Sequence, residues 1–113
     1  MIETDKKPTE KNPNIVDGVF KGTLKHGLKI GETVHKEFEM RGDVTAQDMF
    51  DAEQDTSVNN ALTFNGAMMA KQLIRIGTFD GAITLGMIGK LRDVDYSILR
   101  SAQIALQIEG NAD

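Results

Sequence analysis

A chain of 113 residues can bury one hydrophobic core, which limits it to a single domain. Its 40% hydrophobic and 27% charged residues are ordinary globular stock. The formal net charge of -4, with no stripe of Lys or Arg, argues against nucleic acid as a partner. The absence of Cys removes disulfides, thiolate metal sites and Cys nucleophiles.

From Met1 to Asp17 the chain is polar, with Pro8, Pro13 and mixed charges, and it holds too little apolar surface to offset the entropy of ordering. It is expected to be a flexible arm without a signal-peptide stretch. From Val19 the pattern alternates: Phe20, Leu24, Leu28 and Ile30 share one parity, and Lys21, Thr23, Lys25 and Lys29 take the other. The next run sets Val34, Phe38 and Met40 against His35, Glu37, Glu39 and Arg41, so the two runs form a hairpin about Gly31 and Glu32. A two-residue loop would set Leu28 opposite His35, one oily face against one polar face. An odd loop of three or five residues is therefore expected, with Lys25 meeting Glu37 or Glu39 on the wet face.

After Arg41 the period becomes helical. Thr45 can cap a helix holding Met49, Phe50 and Ala52 that ends before Thr56, with Asp48 near its positive end. A longer helix is expected over about residues 57–76, with Val58, Leu62, Gly66, Met69, Leu73 and Ile76 along one stripe and Gly77 as its stop. Gly66 in that stripe points to close approach of another backbone. Ala61, Phe64 and Met68 widen the apolar face beyond what one neighbour needs. Thr84 can cap a short helix with Leu85, Met87, Ile88 and Leu91. The last helix starts near Asp93 or Asp95 and runs through Ile98, Leu99, Ala102, Ala105 and Leu106 to Gly110, with Ile104 and Ile108 off its main stripe. The elements add up to an α+β fold, an N-terminal β-hairpin packed on a small bundle of three to four α-helices. The expected organisation is an arm over 1–17, one domain over 18–110 and a tail over 111–113. No apolar run approaches the ~20 residues of a membrane span, so no membrane role is expected.

No catalytic, cofactor or metal constellation emerges from the residue pattern. His26 and His35 fall on opposite strand parities and should face opposite sides of the hairpin, one at its rim and one in solvent. Asp43, Asp48, Asp51, Glu53 and Asp55 lack the glycine and alternating oxygen ligands of a calcium loop, and a solvated helix face is the ordinary explanation. The Arg41-Gly42-Asp43 triplet sits at a strand-to-helix corner and carries no weight. Gly77, Gly81 and Gly86 form no phosphate loop, and no serine sits in a nucleophile elbow. Met40, Met49, Met68, Met69 and Met87 serve first as core filling, but flexible thioethers also suit surfaces that must fit several shapes. With the surplus apolar width of the two long helices, they point to a protein-binding role rather than an enzyme. The candidate surface comprises Leu62, Phe64, Met68, Met69, Leu73, Ile104 and Ile108.

The strand Thr23-Leu24-Lys25-His26-Gly27-Leu28, the Gly31 turn and the strand Phe38-Glu39-Met40-Arg41 lead to Thr45, Asp48, Ala52 and Glu53. The Leu62-to-Gly77 segment follows, then Ile83-Thr84-Leu85 and Leu91-Arg92-Asp93-Val94-Asp95 before Leu99 and Ala102. In order and spacing, over about residues 19–108, this resembles the small tail assembly chaperones of Mu-like phages and prophages. The resemblance implies a chaperone that coats the tape measure protein and keeps it soluble until tube subunits polymerise around it. It implies action in the host cytoplasm, absence from the finished virion, and a longer frameshift product that recruits tail tube protein. Several copies along one client, a homo-oligomer, would add avidity. A small structural tail-completion or connector protein of the virion is the alternative.

Overall fold

The structure is a computed structural model that describes residues 12–54 and 60–111. Asp17 and Gly18 both take positive φ, 55° and 77°, the backbone of a two-residue type I′ turn. They join β1 (Ile15–Val16) to β2 (Val19–Ile30), pairing Val16 with Val19 and Ile15 with Phe20. Ile15 and Val16, counted with the arm in the sequence reading, thus form an edge strand, and Ile15 is buried in the core. Residues 1–11 of the arm lie outside the described residues.

β3 (Thr33–Arg41) pairs antiparallel with β2, and Ile30 stands opposite Thr33 across the two residues Gly31 and Glu32. The expected odd loop is therefore not formed; Gly31 supplies a φ of 63° for a tight turn instead. The conflict of faces that such a turn creates is resolved farther down β2. Thr23 faces Glu37 but Leu28 faces His35, so residues 24–27 bulge against Lys36 alone. The bulge reverses the parity between its two sides. Below it Phe20, Gly22, Phe38 and Met40 share the inner face; above it His35 joins Leu28 inside and Val34 is turned out, 51% exposed. His35 is thus a buried residue and not the solvent imidazole expected, and Lys21 rather than Lys25 stands opposite Glu39. Gly22 lets the Phe38 ring lie across the strand, stacked on Phe20 with centroids 6.0 Å apart.

The long second helix is shorter than its sequence pattern. α1 (Ala46–Gln54) is followed by α2 (Ala61–Gln72), which Asn60 caps by accepting from the Leu62 and Thr63 N–H groups; residues 55–59, including Val58, lie outside the described residues. After Gln72 the backbone turns extended, and Leu73–Ile76 forms β4 on the free side of β3. Its Leu-Ile-Arg-Ile run suits a strand, and pairing with β3 satisfies backbone groups that a further helical turn would have bonded internally. The register shifts between Met40↔Leu73 and Glu39↔Arg75, so Leu73 and Ile76 both face the core while Ile74 points out. Gly77 ends the strand at φ 58° and donates its N–H to Glu37 O.

α3 (Leu85–Ile88) is capped by Thr84, and α4 (Asp93–Asn111) follows; among the described residues the helices number four, beside a four-stranded antiparallel sheet of order β1-β2-β3-β4. The fold is α+β, with the hairpin widened into that sheet. Gly66 admits Leu85, Ile88 and Tyr96 side chains rather than the backbone expected there. α4 crosses the inner face of the sheet and buries Leu99, Ala102 and Leu106 against Leu24, Leu28, Phe38, Met40 and Ile76. Its first turn holds the hairpin directly: the fully buried Asp95 carboxylate accepts from the N–H groups of Lys25 (2.7 Å), His26 (3.0 Å) and Gly27 (2.8 Å). Three successive amides thus find their acceptor on α4 where the bulge departs from the ladder.

Candidate partner-binding surface

Capping sets the first wall of the site. The Thr45 hydroxyl accepts from Asp48 N–H (3.1 Å), and the Asp48 carboxylate accepts from Thr45 N–H (3.0 Å), a reciprocal box that starts α1. That backbone bond, with the Arg41 charge beside it, holds the Asp48 carboxyl below the ordinary carboxylate range, against a smaller opposing push from desolvation. Among the described residues α1 packs mainly on α2, through a small second cluster of Ala52, Ala67 and Met68 flanked by Phe64 and Leu85.

Between α1, α2 and the C-terminal half of α4 lies a cleft of about 460 Å³. Val44, Met49, Phe64, Met68 and Leu106 give it apolar walls. Its floor is a chain of buried amides: Gln72 donates to Arg41 O (3.1 Å), Gln103 donates to Gln72 Oε1 (2.8 Å) and to Asn65 O (3.1 Å), and Arg100 donates to Gln103 Oε1 (2.9 Å). The chain ties β3, α2 and α4 together under the cleft and satisfies polar groups that burial would otherwise penalise. Arg100, Ile104 and Ile108 follow one i, i+4 row, so two large apolar side chains continue from the cleft's Arg100 rim onto the outer face of α4.

The seven candidate residues fall into three groups. Leu62 and Ile108, each 65% exposed, and Ile104 are on the surface, and the Leu62 carbonyl accepts from the Tyr96 hydroxyl at 2.7 Å. Phe64 and Met68 line the cleft, Met68 being almost fully covered. Met69 and Leu73 are packed into the main core, Leu73 because it lies in β4. Met49 and Val44 also belong to the cleft; the abundance of Met in the sequence was a signal for the first, and none marked the second.

His26 is exposed and His35 is buried beside Gly77, its Nδ1 accepting from Thr78 N–H at 3.4 Å. Among the described residues no group of three or more His, Asp or Glu side chains could hold a metal ion, and no helix is long and apolar enough to cross a membrane. Of the acidic stretch, Asp43 and Asp48 pair with Arg41, Asp51 accepts from Gln47, and Asp55 lies outside the described residues.

No curated protein and no solved structure matches the chain. A family model described as tail assembly protein gp41 matches residues 24–109, from the bulge of β2 almost to the end of α4. That span takes in the Asp95 latch, the cleft and both helices of the apolar surface, and on it the chain belongs to the tail assembly protein gp41 family of Mu-like phages.

Proposed function

We propose that this tail assembly protein is a chaperone that holds the tape measure protein in solution while the tail is built, acting in the host cytoplasm and leaving before the virion is complete. The supporting observation is the apolar surface that the fold leaves uncovered. Leu62, Ile104 and Ile108 stand out from α2 and α4, and the cleft beside them is walled by Phe64, Met68 and Met49. Large exposed apolar side chains on the two helices that wall such a cleft suit a site for another polypeptide. A long helical client offers repeated amphipathic segments, and a groove between helices receives such segments on their apolar side. Several copies along the client would add avidity while each contact stays weak enough for tube subunits, the second expected partner, to displace.

Of the seven candidate residues, Leu62, Phe64, Ile104 and Ile108 would touch the client, with Met68 at the cleft wall and Met69 and Leu73 supporting it from the core. The test is co-expression with the tape measure protein of the same phage. The wild-type chain should keep the client in the soluble fraction; a Leu62→Asp/Ile104→Asp/Ile108→Asp variant should fold, because these positions are exposed, yet lose the client to the pellet. Equal solubilisation by both would refute the surface. Recovery of the chain from purified virions would point instead to a structural tail-completion role.

A further inference from the structure

The α2 face beneath α1 is already occupied by a helix of this chain, and that helix shows what the face accepts. α1 sets Ala52, fully buried, against Ala67 and Met68, with Phe64 and Leu85 closing the sides. Small residues at the contact let two helix axes approach closely. Yet among the described residues α1 is attached lightly: Ala52 is its one buried residue, Met49 and Phe50 remain about half exposed, and its substantial packing is on α2. The brace at its start is the Arg41 to Asp48 pair at 3.4 Å, a partly exposed contact. The main core between α4 and the sheet is separate from this second cluster.

We propose that α1 is a built-in placeholder on a helix-binding face formed by Phe64, Ala67 and Met68, and that it swings off this face when a client helix docks. The client segment, by the pattern of α1 itself, is an amphipathic helix with a small residue at the crossing point and a large apolar residue three positions before it, as Met49 precedes Ala52. The inference rests on the chaperone reading for the identity of the client, but the opening of α1 does not depend on it. An element held by so few buried contacts opens below the free energy of global unfolding. The cleft beside Met49 then widens into a groove running from the cluster to Leu106, and Phe64 and Met68 are bared within it.

Hydrogen exchange on the whole chain, alone and co-purified with the tape measure protein, separates the two claims. The amides of Met49–Ala52 should exchange about 100-fold or more faster than those of Leu99–Leu106 in the free protein. Equal protection of the two helices would overturn the placeholder. Ala52→Glu, which sets a carboxylate against the α2 face, should bring α1 to near-unprotected exchange, leave α4 protection unchanged and increase client capture; lost capture with α4 intact would show α1 to be a wall of the site and refute displacement. In a variant carrying both Ala52→Cys and Ala67→Cys, the only thiols in the chain, oxidation should abolish client capture and reduction restore it, and full capture by the cross-linked form would also refute displacement. Should the wild-type chain fail to hold the client, the chaperone reading falls together with the displaced occupant, while the exchange rates still decide whether α1 opens.

Discussion

Replacing Asp95 removes the one acceptor that three consecutive backbone amides share. In Asp95→Ala the N–H groups of Lys25, His26 and Gly27 lose bonds of 2.7–3.0 Å to a buried carboxylate. A hydrogen bond to a charged group contributes about 1.5–3 kcal/mol. The bulge borders solvent, and Lys25 and His26 are exposed, so water recovers part of the loss. A net cost of about 3–5 kcal/mol remains, which for a domain of this size lowers Tm by about 12–20 °C. Asp95→Asn keeps the shape and one acceptor but turns a donor toward N–H groups, so it should fall between wild type and Ala. Thermal melts followed by circular dichroism measure both, and amide exchange at Lys25–Gly27 reports the local loss. A melting point for Asp95→Ala within a few degrees of wild type would mean that water serves these amides as well as the carboxylate does, and the latch would have no energetic standing.

Gly77→Ala places a Cβ onto the His35 ring at a φ of 58°, so strain and overlap together should cost about 3 kcal/mol in a denaturant titration. Gln72→Leu and Gln103→Leu each strand a buried partner and should cost about 1–3 kcal/mol singly, while the double replacement should cost less than their sum in a double-mutant cycle. Asp48 has a folded pKa below its unfolded value, so its contribution is present above about pH 4 and is lost as pH falls through the lower folded value. The protection of α1 amides, taken relative to the intrinsic exchange rate at each pH, should fall across that acid window in the wild type, and the fall should vanish in Asp48→Asn.

Apart from the strands at Ile15–Val16 and Leu73–Ile76, the element types, the caps at Thr45 and Thr84 and the span of the last helix are legible because each rests on neighbours in sequence. Register is not, because β2 breaks its own alternation at residues 24–27. Gly27, at φ 89° inside an alternating run, is the residue that marks the bulge, and a glycine within a strand pattern carries that meaning. The Asp17-Gly18 pair between Ile15-Val16 and Val19-Phe20 is likewise a strong hairpin signal, hidden by the polar composition around it. Leu73–Ile76 satisfied the helical stripe and a strand equally, and only pairing with β3 decides between them. Of the candidate surface, the exposed positions followed from surplus apolar width. The burial of Met69 and Leu73 followed from where α2 stops, which periodicity does not encode.

The strand at Leu73–Ile76 and the burial of Met69 depend on contacts distant in sequence, and that dependence divides the molecule. The sheet and α4 are joined by contacts distant in sequence: the Asp95 bonds reach across about seventy residues, and the amide chain from Arg41 through Gln72 to Gln103 spans three elements. Such contacts form together or not at all, and they make a body that resists local opening. Contacts that hold α1 lie nearer in sequence: a capping box within its own first turn, the Arg41 to Asp48 pair, and one buried alanine against its neighbour. The body can therefore present α2 and α4 at fixed spacing while α1 changes place. On the chaperone role proposed above, gripping many similar segments of a client and surrendering each in turn requires both a rigid frame and an element that yields.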